Sequence, residues 1–213
     1  MNQRKISDGV IIKALDWAYE RSLNEKPFPG FDGAVPLAKK FKKETQTTPE
    51  QIDNLIRWQN SKSAVVGFVS GLGGVLSLPV VIPGNVAGVL FIQIRMAMAI
   101  AFLSGADLHD EKVKTLVFTC MCGYEANAIL KEFGIDMDHK FTEIINQKIE
   151  KELIEKIKSK VGMRFMTLAG ETGAVNLMKT IPFLGGIISG AVDAYTTNSI
   201  GDVAKKIFTQ DVL

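Results

Sequence analysis

The glycine-rich stretch Gly71-Leu72-Gly73-Gly74 could do chemistry, because glycine loops cradle phosphate groups. A dinucleotide-binding loop would need a third glycine where Leu76 stands and a strand before the loop, and the sequence offers neither. A nucleoside triphosphate loop would end in Gly-Lys followed by Ser or Thr, which is also missing. These glycines are therefore better explained by close packing of helices or by a membrane hairpin.

Cys120 and Cys122 are the only thiols, and their spacing suggests a metal-binding or redox pair. Residues two apart on a helix do not face each other, however, and the only histidines are His109 and His139. We therefore do not predict a zinc site. A nucleophilic Cys120 paired with His109 is conceivable, but a small buried thiol is the better interpretation. Two thiols in a chain of 213 residues are typical of a reducing compartment.

Asp136, Asp138 and His139 form a small cluster after Gly134 that could bind a metal. Aspartate is also common in loops near helix ends, and we favour that ordinary role. We therefore predict no metal site, no cofactor and no catalytic residues. A hydrolase that uses Cys120 or the acidic residues is the least supported alternative.

Gln93 and Arg95 are more informative, because they are polar residues inside an otherwise apolar predicted helix. Buried polar groups need partners, and acidic residues of other predicted helices could supply them: Glu125, Glu171 and Asp193. We favour one structural ion pair, or an arginine whose charged end reaches a membrane surface. A ligand-binding site is the alternative.

A run without charged residues, Ser63–Ile94, contains Pro79 and Pro83. Proline opposes helix continuation, so the two prolines divide the run into two helical halves, of which the second covers residues 84–104. We therefore predict an apolar helical hairpin over residues 64–106.

The length of this hairpin argues against two membrane-spanning helices, each of which needs ~20 predominantly apolar residues. The second half reaches that length only by including Asn85, Gln93 and Arg95. Three settings stay open: burial under amphipathic helices, entry into one leaflet, and docking on a membrane protein. We expect membrane or ligand contact at residues around the two prolines: Leu78, Pro79, Val80, Val81, Ile82, Pro83, Val86 and Val89.

The rest of the chain shows helical periodicity, and no segment alternates with the period of two that half-buried strands show. The first helix is predicted from Ser7 or Asp8 to about Leu23. Prolines and glycines break the chain over residues 27–36, and a short helix follows over 37–43.

Three more helices follow from local signals. Thr48-Pro49-Glu50-Gln51 predicts a helix start with a capping box between the threonine and the glutamine. A helix over 110–133 has Tyr124 in its inner stripe, and Gly134 after its end. An amphipathic helix with a Lys/Glu outer face begins at Phe141. We favour a solvated outer face over contact with anionic lipid.

Composition limits the function classes. Apolar residues make up 46% of the chain, and the net charge of +2 gives no case for a nucleic acid partner. The N-terminus lacks the features of a secretory signal, so we expect a cytoplasmic protein, peripherally associated with the inner face of the cell membrane. We predict an all-α fold in a single domain over residues 1–213. Its parts are an N-terminal helix and loop (1–35), the hairpin (64–106) and a second Gly/Pro-rich apolar segment (161–208).

Two long stretches carry a family resemblance: GFVSGLGGVLSLPVVIPGNVAGVLFIQIRMAMAIAFLSGADL (Gly67–Leu108) and VGMRFMTLAGETGAVNLMKTIPFLGGIISGAVDAYTTNSIGDVAKKIF (Val161–Phe208). Together with QNSKSAVVGF and VKTLVFTCMCG, they resemble the signature of the EcsC family. The resemblance covers Ala14–Phe208, and serine replaces the expected threonine at Ser70 and Ser77. It implies a bacterial protein linked to membrane processes, since the founding member is encoded beside an ABC exporter. The family offers no accepted catalytic residues to carry over.

The main hypothesis is therefore a non-enzymatic accessory or regulatory protein, linked to an ABC transporter, that docks on membrane lipid or a membrane protein through the hairpin. A soluble helical carrier of a lipid or other hydrophobic ligand is one alternative. A membrane-perforating effector that releases the hairpin into a bilayer is another. The solvent exposure of residues 78–89 distinguishes these hypotheses from an inert core.

Overall fold

A computed structural model of the chain describes residues 8–60, 84–146, 151–170 and 189–209. Helices and connecting turns make up these ranges, which contain no strand beyond one isolated bridge between Phe28 and Phe31. The predicted all-α fold is confirmed. The α-helices of these ranges are α1 (Asp8–Leu23), α2 (Ala34–Phe41), α3 (Thr48–Asn60), α4 (Gly84–Leu103), α5 (Glu111–Cys120), α6 (Ala126–Glu132), α7 (Phe141–Asn146), α8 (Lys151–Gly170) and α9 (Ser189–Thr209).

Helix α4 lies at the centre of the described fold. Every residue from Leu90 to Ala101 is at most 7% exposed, and α4 packs against α1, α2, α3, α5 and α9. A helix that is apolar around its whole circumference needs such cover on all sides. The second half of the predicted hairpin is therefore confirmed as a helix, and from Leu90 to Ala101 it is buried under neighbouring helices. The first half, over residues 64–78, lies outside the described residues.

Helix α1 packs on α4 and α8 through one apolar face. Its bounds confirm the prediction, and its buried stripe is Ile11, Ala14, Leu15 and Ala18. Tyr19 extends this face: its ring makes an edge contact with Phe118, and its hydroxyl donates to the backbone carbonyl of Leu108 at 2.8 Å. This bond joins α1 to the turn before α5.

Helix α2 begins at Ala34, three residues earlier than the predicted range 37–43. Pro36 therefore lies inside the helix rather than before it. Proline lacks a backbone N–H, but the first helical turn has no intrahelical acceptor for that group, so Pro36 is accommodated there.

The N-terminal cap of α3 uses a different pair of residues from the predicted one. The backbone N–H of Thr47 donates to the Glu50 carboxylate at 2.8 Å, and the Thr47 hydroxyl lies 3.4 Å from the Glu50 backbone nitrogen. The predicted box of Thr48 and Gln51 is wrong by one residue. The Gln51 side chain instead donates to the backbone carbonyls of Lys43 and Gln46, at 3.0 and 2.8 Å.

The helix predicted over 110–133 is interrupted. α5 ends at Cys120, a 3-10 turn covers Gly123–Glu125, and α6 follows. Gly123 has a φ of +57°, a left-handed conformation that favours glycine, and a Cβ there would lie 2.8 Å from Ser199 Oγ of α9. Tyr124, predicted to face inward, is 55% exposed, because the interruption turns it away from the core.

Helix α9 lies close to α3 at a second glycine. A Cβ on Gly201 would lie between 2.9 and 3.1 Å from three side-chain carbons of Ile56. Asn60, the last residue of α3, also donates to the side chain of Asn198. Helices α3, α4 and α9 therefore form one packed group.

The amphipathic segment that begins at Phe141 is described as α7 and α8, with residues 147–150 outside the described part. Phe141 and Ile157 are buried as predicted, and Leu153 is partly buried. The outer face carries Lys/Glu ion pairs, among them Glu152 with Lys156 at 2.9 Å. Mixed charges of this kind are typical of a solvated helix face.

Candidate functional site at a buried arginine

Arg95 occupies the middle of α4 and is only 3% exposed. Its Nη1 donates to the backbone carbonyl oxygen of Asp32 at 3.0 Å. Asp32 belongs to the Pro/Gly-rich loop between α1 and α2, so the bond fastens this loop to the central helix. Arg95 therefore reaches neither solvent nor a membrane surface. The prediction that its charged end reaches a membrane surface is wrong.

Two aromatic rings complete the surroundings of the guanidinium. Its carbon lies 5.5 Å from the centroid of Phe91 and 5.7 Å from that of Phe31. Phe91 in turn makes an edge contact with Phe28, at a centroid distance of 5.1 Å. Cation–π contacts replace part of the hydration that a buried guanidinium loses.

The loop that Arg95 holds has its own close contacts. The N–H of Gly33 donates to the carbonyl of Glu25 at 2.8 Å. A Cβ on Gly33 would lie 1.9 Å from the backbone oxygen of Asn24, so only glycine fits this approach. The Asp32 carboxylate points toward the surface and forms an ion pair with Lys40 of α2.

Burial lowers the pKa of Arg95 to about 10, and the nearby Asp32 carboxylate opposes that shift. The guanidinium is therefore still charged at neutral pH. Its Nε finds no acceptor within the described part of the chain. A permanently charged donor of this kind can fix a loop, but it cannot act as a general acid or base near neutral pH.

The other predicted polar residues have different positions. Gln93 lies on α4 and is 7% exposed. Glu125 lies exposed in the 3-10 turn. Glu171 is outside the described residues; Asp193 is within α9, but the placement of its side chain is not described. The sequence analysis did not predict Asp32 as a partner of Arg95. The only sequence feature that marks Asp32 is its acidic side chain within the Pro/Gly-rich break over residues 27–36.

Most of the expected contact residues lie outside the described ranges, namely Leu78, Pro79, Val80, Val81, Ile82 and Pro83. Val86 and Val89 belong to the first turns of α4, and their side chains are not described. None of the helices within the described ranges combines the length and apolarity needed to span a bilayer.

The candidate nucleophiles and metal ligands do not form a reactive site among the described residues. Cys120 and Cys122 are buried and not joined in a disulfide, and burial raises the pKa of Cys120, which keeps it protonated. Asp136 accepts a hydrogen bond from the N–H of Asp138 at 3.0 Å, and Asp138 pairs with Lys206 at 2.6 Å. Across the described ranges, no three His, Cys, Asp or Glu side chains are grouped as metal ligands would be.

Comparisons with family models, with curated proteins and with solved structures found no match to this chain.

Proposed function

We propose that this chain is a non-enzymatic, membrane-associated accessory protein of the EcsC type. In this proposal it docks on lipid or on a membrane protein, such as an ABC transporter, at the inner face of the cell membrane. The contact is made by the part of the uncharged run that precedes Leu90, centred on the residues around Pro79 and Pro83.

The supporting observation is that the helices before and after this segment, α3 and α4, both pack against α9. On one side, α3 ends at Asn60, which is hydrogen-bonded to Asn198 of α9. On the other side, α4 is buried from Leu90 to Ala101 and packs against both α3 and α9. The uncharged segment is therefore anchored at both ends to the same group of helices, as a hairpin that presents its tip to a membrane requires.

The chemistry at the buried arginine agrees with a role other than catalysis. Arg95 is occupied in holding the loop before α2, and its surroundings are aromatic. The buried Cys120 thiol is protonated at neutral pH. Binding through an apolar segment is the function that these observations support best.

The test is co-sedimentation of the full chain with phospholipid vesicles, comparing the native sequence with the double variant Val81→Asp/Ile82→Asp. Each aspartate within an apolar membrane region costs at least ~2.5 kcal/mol, so two of them should lower partitioning by on the order of 1000-fold or more. The matched control is Met163→Asp, because Met163 lies on α8 with 56% of its surface exposed. This control should bind as the native chain does.

The result against the proposal would be a native chain that stays in the supernatant with every vesicle and membrane preparation. Circular dichroism of each variant checks that the helices persist. A double variant that keeps its helices and binds as well as the native chain would place the contact elsewhere.

A further inference from the structure

The C-terminal end of α2 carries a dense group of exposed lysines: Lys39, Lys40, Lys42 and Lys43. Within the described part of the chain, only Lys40 of this group forms an ion pair, with Asp32. Adjacent positive charges with so little neutralisation create a potential that attracts anions.

Trp58 packs against Phe41, the residue that separates Lys40 from Lys42 in the sequence. Its ring contacts that of Phe41, the last residue of α2, with centroids 5.7 Å apart. Trp58 is 41% exposed, and its neighbour Arg57 is exposed as well. Tryptophan is enriched at membrane–water interfaces, because its ring is apolar and its indole N–H is polar. Cationic and aromatic groups therefore share one surface.

The backbone fixes this surface against α3. The carbonyl of Lys43 accepts a hydrogen bond from the Gln51 side chain at 3.0 Å. The surface also lies where the chain enters the uncharged run, since α3 ends at Asn60 and the run begins at Ser63. A membrane contacted by the run would thus be close to these lysines.

Most acidic residues near the surface are already engaged. Asp53 pairs with Lys205 of α9 at 2.6 Å, and the Glu50 carboxylate accepts the backbone N–H of Thr47. Glu44 is exposed and offsets one of the positive charges. The local charge is positive although the whole chain carries only +2.

We infer that this surface binds the anionic lipid headgroups of a bilayer. The α2–α3 basic surface, as we name it, consists of Lys39, Lys40, Lys42, Lys43 and Trp58. Charge complementarity favours anionic over neutral lipid, and the exposed indole provides the apolar insertion that a soluble anion would not use. This inference rests on the proposed membrane association and adds the class of lipid.

The test compares the full chain on vesicles of phosphatidylcholine alone and of phosphatidylcholine mixed with phosphatidylglycerol. The variant is Lys39→Gln/Lys42→Gln/Lys43→Gln, which keeps Lys40 and its ion pair. Each lysine near an anionic surface contributes about fivefold to partitioning, so binding to mixed vesicles should fall on the order of 100-fold. Added salt should weaken the native binding in the same direction.

The control is Lys131→Gln/Lys140→Gln/Lys151→Gln, which removes the same charge from exposed positions outside the α2–α3 basic surface. It should bind mixed vesicles as the native chain does. Equal losses in both triple variants would overturn the inference, because they would show a response to net charge alone. Equal native binding to neutral and mixed vesicles would overturn it while leaving the proposed function intact. Absence of binding to either vesicle would overturn the inference, and the proposed function would fail with it only if the native chain also stayed in the supernatant with membrane preparations that contain protein.

A second readout follows Trp58 directly. The chain has two tryptophans, and the indole nitrogen of Trp17 is buried without an acceptor among the described residues. Trp17→Phe should therefore fold and leave Trp58 as the only indole. Its emission should shift to the blue on mixed vesicles and be quenched by brominated lipid. Unchanged emission while the chain is bound would overturn the placement of this surface.

Discussion

Replacing Gly201 by alanine tests the close packing of α9 on α3. A Cβ at this position would lie 2.9 Å from Cγ1, 3.0 Å from Cδ1 and 3.1 Å from Cγ2 of Ile56. Non-bonded carbon atoms are rarely this close in proteins, so one of them has to move away. Two of the three atoms are bonded to the Cβ of Ile56, so the whole side chain, only 5% exposed, has to shift within the core.

The magnitude follows from two opposing contributions. Overpacking of a core costs ~1–3 kcal/mol. Alanine instead of glycine inside a helix gains ~1 kcal/mol. We therefore expect Gly201→Ala to lower the free energy of unfolding by up to ~2 kcal/mol.

A double-mutant cycle with Ile56→Ala isolates the contact. Ile56→Ala alone should cost ~2–4 kcal/mol, because it leaves a cavity. It also removes all three of the carbons that the new Cβ would meet. In that background Gly201→Ala should stabilise the protein by up to ~1 kcal/mol, so the effect of the same substitution changes sign.

The assay is equilibrium urea unfolding followed by far-ultraviolet circular dichroism. Gly105→Ala is the control for backbone strain without crowding, since Gly105 has a φ of +86° and its Cβ would meet nothing within 4 Å. It should be destabilised equally in the native and the Ile56→Ala backgrounds. If Gly201→Ala destabilises the protein to the same extent in those two backgrounds, the packing argument is refuted.

Three further predictions concern the described polar groups. Arg95→Ala should lower the free energy of unfolding by ~2–4 kcal/mol in urea, because it leaves a loop carbonyl unpaired and a cavity; no loss would show that the bond contributes little. Cys120 and Cys122 should react with an aromatic disulfide reagent only after unfolding, and fast labelling of the native chain would contradict their burial. Desolvation raises the pKa of Glu111, but the hydrogen bond from Lys158 and the positive charges of Lys158, Lys114 and Lys151 together outweigh it and lower that pKa. The stability that wild type has over Glu111→Gln should therefore be present above pH ~4.3 and disappear as pH falls through the lowered pKa; a difference constant with pH in urea unfolding would contradict this.

Local sequence signals predicted the elements whose causes are local. The bounds of α1 follow from its apolar stripe and the proline-rich break after it. Gly134 ends the helical segment before it with a φ of +74°, as predicted from glycine's tolerance of the left-handed conformation. Helix α4 follows from a predominantly apolar segment with no proline between Gly84 and Leu103. In each case, residues within a few positions of one another were sufficient.

The errors arose where distant contacts decided the local conformation. The interruption after Cys120 depends on the approach of Ser199, which is far along the chain from Gly123. Either of two adjacent threonines could have capped α3. The Gln51 side chain donates to backbone carbonyls of the preceding loop, which leaves Glu50 to form the capping box with Thr47. Periodicity carries no information on such choices, because both outcomes satisfy the same apolar pattern.

At the candidate site, too, some features follow from the sequence and others only from the tertiary structure. The sequence alone determined an all-α chain, an uncharged run that ends beside an arginine, and the absence of recognisable catalytic motifs, because these depend on composition and on neighbouring residues. Only the tertiary structure decided that Arg95 binds the carbonyl of Asp32, 63 positions away. It also decided that Phe41, which has lysines on both sides of it in the sequence, packs against Trp58. Pairings between distant segments are selected by packing of the whole chain, and no local pattern specifies them.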